Sequence, residues 1–221
     1  MELLNVITAR SIWLCDIDEL NPQGKSVQAE FLEWLKDNYH FTKSPTSMDE
    51  LDENKGLVFQ NGQFQIREEF FIGVDITIFL DGLVAQTRSS TRDTDRFLDD
   101  AIQEAVREFG FAFSSNTIRQ KLYVSELNLR CEKKLDTLNY GLTSICGRIS
   151  QLISEPKNLP FQTASVGLWP VFEASRTVVP PFQFERKVGA SFAENRYYSR
   201  APLQTEDHLT ILNEFETLLV G

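Results

Sequence analysis

The sequence predicts an α+β fold, a largely antiparallel sheet with helices packed on one face. Two turn-forming dipeptides, Asn61-Gly62 and Asp81-Gly82, lie between short apolar-polar alternations, the pattern of a meander built on hairpins. Ile72, Val74, Ile76, Ile78 and Leu80 alternate with Asp75 and Thr77, which gives the longest strand one core face and one wet face. The helical stripes are separated by these hairpin strands instead of alternating one helix per strand, which argues against a doubly wound sheet.

Taken in order, "ITARSIWLC" reads as a strand rich in β-branched and aromatic residues that runs into Asp16. In "SVQAEFLEWLKDNY" the residues Val27, Phe31, Trp34, Leu35 and Asn38 share a helix face, with Ser26 as cap. "TKSPTSMDELDENKG" breaks all periodicity and reads as an acidic exposed loop. After the two hairpins, "DTDRFLDDAIQEAVREFG" carries Phe97, Leu98, Ala101, Ile102, Ala105, Val106 and Phe109 on one stripe, with Gly110 placed to end the helix. "KLYVSELNLRC" alternates Tyr123, Ser125, Leu127, Leu129 and Cys131 as a strand.

"KKLDTLNYGLTSICGRISQLI" spaces Leu135, Leu138, Leu142, Ile145, Ile149 and Leu152 by alternating threes and fours, a heptad seam. Such a helix pairs with a partner helix or packs on its own sheet; the two patterns are nearly the same. "FQTASVGLWPVF" and "PPFQFERKVGASF" are the remaining strand candidates, pushed towards edges by Pro170, Pro180 and Pro181. "TEDHLTILNEFETLLVG" closes the chain as a helix capped by Thr205, with Leu209, Leu212, Phe215 and Leu219 inward. No internal repeat at a fixed period is visible. The opening βαββ…αβ order admits a ferredoxin-like closure of the N-terminal half. We expect one α+β domain over 1–221, which admits a subdivision into halves 1–113 and 117–221.

Charge divides along the same line. The net charge is −10; up to Phe113 there are 21 acids and 10 bases, and from Ser114 onward 11 acids and 12 bases. An acidic surface disfavours a general nucleic-acid binder, since phosphate contacts are made by Lys and Arg. Cys15, Cys131 and Cys146 are odd in number, widely spaced and flanked by apolar residues, which suits buried reduced thiols. No run approaches the length needed to span a bilayer, so the expectation is a cytoplasmic protein without a membrane segment.

Signals for chemistry are few. Asp16 and Asp18 end an apolar strand as a D-x-D pair, able to hold a hard cation for phosphoryl chemistry, with Asp81 as a third carboxylate. Glu185 with Lys187, and Glu132 with Lys134, match a short E-x-K element of metal-dependent nucleases, a pattern expected by chance. His40 and His208 have no second ligand at zinc spacing, and no P-loop, G-x-S-x-G or G-x-G-x-x-G is present. "RSSTR", Arg88, Ser89, Ser90, Thr91 and Arg92, precedes a helix N-terminus and could take an anion or an acidic partner. Arg196, Tyr197, Tyr198 and Arg200 are residue types enriched at protein interfaces.

Together these predict a non-catalytic interaction subunit of a homo-oligomer or multiprotein complex. Its interface residues would be Leu138, Leu142, Ile145 and Ile149 with the Arg196–Arg200 segment, and its partner another protein or itself. No cofactor is expected. The alternative is a metal-dependent phosphoesterase or nuclease using Asp16 and Asp18, and the third reading an accessory protein that stacks single-stranded nucleic acid on its basic-aromatic segment.

Overall fold

The structure is a computed structural model that describes residues 1–20, 28–46, 55–114, 116–153, 160–171 and 179–219. The strands are β1 (Glu2–Leu14), β2 (Leu57–Arg67), β3 (Phe70–Phe79), β4 (Gly82–Thr87), β5 (Gln120–Arg130), β6 (Ser165–Leu168), β7 (Phe182–Arg186) and β8 (Arg196–Ala201). The helices among the described residues are α1 (Ile17–Leu20), α2 (Gln28–Asn38), α3 (Thr91–Phe109), α4 (Tyr140–Leu152) and α5 (Thr205–Leu218). The strands make one eight-stranded sheet in the order β2-β3-β4-β1-β5-β8-β7-β6, so the fold is α+β with antiparallel pairing, as the alternation predicts.

The chain forms two compact units. The first comprises Thr8–Ser125 with Leu203–Thr205; the second comprises Met1–Ile7, Glu126–Pro202 and Glu206–Gly221. Apart from the four-residue α1 and short 3-10 turns, their element orders match: β1-α2-β2-β3-β4-α3 and β5-α4-β6-β7-β8-α5 are each strand, helix, three strands, helix. The sheet order from β1 outward, β4-β3-β2, is repeated from β5 outward, β8-β7-β6. The repeat is one of connectivity. Strand and loop lengths differ between the copies, which is why no fixed period shows in the sequence.

In the first unit α3 is the main packing element. Ser90 caps it, its side chain accepting from the Asp93 amide, and Gly110 ends it in the left-handed conformation at φ 66°. Phe97, Leu98, Ala101, Ile102 and Ala105 are buried along it. The first four of these meet Trp13 of β1, Val74 and Ile76 of β3, and Leu83 and Ala85 of β4 in one core. Burying each large side chain fully contributes about 1.5–3 kcal/mol. On α2 the most deeply buried residues are Leu32 and Leu35, with Phe31 and Trp34 half-buried beside them. Ser26 and Val27, the expected start of that helix, and most of the acidic loop at 47–54 lie outside the described residues.

Three expectations need correction here. The Asn61-Gly62 pair is no hairpin: β2 runs straight through it, and the register against β3 shifts between Phe59 and Gly62. Asn61 takes φ 56°, its amide donates to Asp75 Oδ1 at 2.7 Å, and the irregularity is a β-bulge. Asn-Gly tolerates positive φ in a bulge as well as in a turn. The β2–β3 turn is Glu68-Glu69, with Glu69 at φ 61°, and carries neither Gly nor Asn. The second predicted hairpin does form, but around Leu80 and Asp81, with Gly82 already paired to Phe79. Gly82 is there for space: a Cβ would sit 2.5 Å from the Trp13 carbonyl oxygen. Finally, β1 pairs with β4 antiparallel, whereas a ferredoxin-like closure joins them through a parallel split βαβ. The added strand β2 reverses the chain and removes that arrangement.

The second unit is built on Leu127 and Leu129 of β5, Cys131 just after it, Phe184 of β7, Tyr197 of β8, and Leu212 and Leu219 near the end of the described residues. The heptad segment is not one helix. Leu135–Leu138 is a short 3-10 turn, Asn139 is extended at φ −149°, and α4 starts after it. The side chain of Asn139 accepts from the Gly141 amide at 2.9 Å, so the polar break in the seam is the cap of a new helix. Leu135 is thereby separated from the stripe and buried.

Candidate functional site

Exposed apolar side chains of the second unit lie at Leu168, Trp169 and Val171 and, as a regular row, on α4. Leu142, Ile145, Ile149 and Leu152 follow one another by three, four and three residues and form one stripe. They are 42%, 56%, 37% and 66% exposed. No residue of α4 is buried. Its counterpart in the first unit, α2, buries Leu32 and Leu35, so the same topological position holds a core helix in one copy and a largely uncovered helix in the other. Leu138, just before the cap, is exposed too. Only the Cys146 and Ser150 side of α4 is half-buried; there the Ser150 hydroxyl accepts from the Phe161 amide at 3.0 Å. Cys146 is therefore not a core thiol, unlike Cys15 and Cys131, which burial pushes up to about 11.

On β8 the predicted interface residues divide by the pleat of the strand. Tyr197 points inward, fully buried and stacked on Phe184 at 4.6 Å between ring centroids, with the Arg186 guanidinium 5.3 Å from its ring. Arg196, Tyr198 and Arg200 point the other way and are half-buried. Arg200 Nε lies 3.6 Å from Glu126, and burial, reinforced by Glu126, pushes the Tyr198 hydroxyl up to about 12. The outward face is therefore a charge-balanced polar surface.

The "RSSTR" stretch is a cap. Ser89 and Ser90 both donate to the Asp93 carboxylate, the Asp93 amide donates back to Ser90 Oγ at 3.2 Å, and the Thr91 amide donates to Thr205 Oγ1 at 3.1 Å. The carboxylate of Asp93 sits where an anion would have to approach. Thr91 is buried, while Arg88 and Ser89 line a shallow depression with Phe70, Asp75 and Gln86.

Asp16 lies just beyond β1, 3.5 Å from Arg119 Nη2. Asp18 belongs to α1, and its side chain is outside the described ones. Asp81 is a turn residue whose carbonyl accepts from the Cys15 amide at 3.1 Å. Among the described residues no group of three His, Cys, Asp or Glu side chains is arranged to hold a metal ion. Among them, too, no helix is long and apolar enough to cross a membrane.

Several polar clusters join residues that sequence reasoning could not connect. Thr91 and Thr205 begin α3 and α5, and each hydroxyl accepts the other's amide, at 3.1 and 2.9 Å. Asp95 accepts from Trp13 Nε1 and from the Tyr123 hydroxyl, both at 2.9 Å. His208 is fully buried and lies 2.8 Å from Ser199 Oγ through Nε2. The Ser199 proton goes to the Gln183 carbonyl at 2.8 Å, so the serine accepts and Nε2 carries the hydrogen. Burial lowers His208 to about 4 and keeps it neutral. A serine whose proton points away from the histidine, in a closed core, is not an activated nucleophile.

No family model and no curated protein sequence matches this chain. Among solved structures it is similar to the TBP of Methanococcus jannaschii at 12% identity and a TM-score of 0.35, over 98% of this chain and 96% of that one. A likeness that slight carries no argument about what this chain does.

Proposed function

We propose that this chain is a non-catalytic protein–protein interaction subunit, a component of a homo-oligomer or a multiprotein complex. The observation that supports it is the stripe on α4, four aliphatic side chains left exposed on a helix whose counterpart α2 buries its own. An exposed aliphatic row of this kind raises the free energy of an isolated chain in water and is stabilised when a partner covers it. Among the described residues, the Ser89, Ser90 and Ser199 hydroxyls and the Asp93 and Asp95 carboxylates are engaged in caps and core hydrogen bonds.

The test is the assembly state of the full chain and of Ile145→Glu. The wild-type chain is expected to elute with a partner or as an oligomer, and the variant alone, with an unchanged circular dichroism spectrum. If both behave as isolated monomers at every concentration and neither retains another chain, the proposal fails.

A further inference from the structure

We infer that the surface covering the α4 stripe is the same stripe of a second copy of this chain, laid antiparallel about a two-fold axis. This rests on the interaction reading above and names its partner and geometry.

The stripe is self-complementary. Leu142, Ile145, Ile149 and Leu152 read Leu, Ile, Ile, Leu at spacings of three, four and three, a pattern unchanged when the helix is turned end for end. A two-fold axis at the centre of the stripe sets Leu142 against Leu152 of the other copy and Ile145 against its Ile149. These are the paired layers of an antiparallel helix seam, and an isologous contact requires such a match of a patch with itself.

Charge agrees. The chain carries −10, so two copies repel at most orientations, but the 13 residues of α4 include one charged side chain, Arg148. In the antiparallel register Arg148 lies opposite Cys146 of the other copy, not opposite its own equivalent. The exposed parts of the four side chains offer roughly 400 Å² per copy, half of the about 800 Å² that a standard interface buries on each partner. That is the size of a weak, transient contact.

The experiment is sedimentation of the full chain from about 1 to 200 µM, followed by disulfide mapping in a Cys146→Ser background. Mass is expected to rise from one towards two chains across this range, and Ile145→Glu is expected to stay monomeric while folded. Under mild oxidation an equimolar mixture of Ile145→Cys and Ile149→Cys chains is expected to give a covalent dimer, and neither chain alone to do so.

A wild-type chain that stays monomeric at 200 µM overturns the second copy. If it then retains a different protein that Ile145→Glu releases, the interaction reading stands without it; if it retains nothing, both fall. A dimer that persists in folded Ile145→Glu overturns α4 as the seam. Cross-linking by either cysteine variant alone overturns the antiparallel register.

Discussion

Acid should unfold the second unit through His208, and the size of the effect can be worked out. The ring is fully buried between Ser199, whose hydroxyl it donates to, and Phe182, whose ring stands edge-on at 6.1 Å. Burial holds it at about 4 against 6.5 in the unfolded chain. Between those values the unfolded state binds a proton that the folded state refuses, so stability is intact above pH 6.5 and is lost as pH falls towards 4. The full loss is about 3 kcal/mol, of which about 2 kcal/mol falls between pH 7 and pH 5. Urea titrations of wild type and His208→Gln at both pH values isolate it, because other titrating groups are common to the two proteins. The variant is less stable at pH 7, where it loses a fitted side chain, but its stability should drop about 2 kcal/mol less on going to pH 5. Equal drops in the two proteins would refute the assignment of the acid sensitivity to this ring.

Three further outcomes follow from the packing. Gly82→Ala pushes a Cβ to 2.5 Å from the Trp13 carbonyl and should cost about 2 kcal/mol or more by denaturant unfolding, whereas Gly73→Ala, with nothing within 4 Å, should be nearly neutral. Thr91→Val keeps the shape but removes the hydroxyl that accepts from the Thr205 amide; a loss of about 1–2 kcal/mol, read as a drop of several degrees in melting temperature, is expected. Asp95→Leu strands the Trp13 indole N–H and the Tyr123 hydroxyl and should cost about 2–3 kcal/mol by the same melt.

The elements legible in the sequence are those whose local signals all agree. In α3 the stripe, the Ser90 cap and Gly110 point one way, and in β3 the strict alternation of Ile72 to Ile78 leaves one register. Asn61-Gly62 misleads because its signal is permission for positive φ, which a bulge uses as readily as a turn. The Glu68-Glu69 turn has no signal at all; it is imposed by the pairing of Arg67 with Phe70. On α4 the stripe is legible but its exposure is not, since periodicity records which side is apolar and says nothing about what covers it. Ser199 with His208, Asp95 with Trp13, and Thr91 with Thr205 are joined by the fold over separations of 9, 82 and 114 residues. No local pattern encodes such pairs.

The reciprocal Thr91–Thr205 contact has a consequence for how the chain is made. Residues Leu203–Thr205 belong to the first unit, and Met1–Ile7 belong to the second. During synthesis the Thr91 amide waits for a hydroxyl 114 residues downstream, and the first seven residues wait for a unit whose next segment starts at Glu126. The first unit has all its residues only once Thr205 has been made, after most of the second. Cutting the chain between Ser125 and Glu126 would therefore part Leu203–Thr205 from the first unit and Met1–Ile7 from the second.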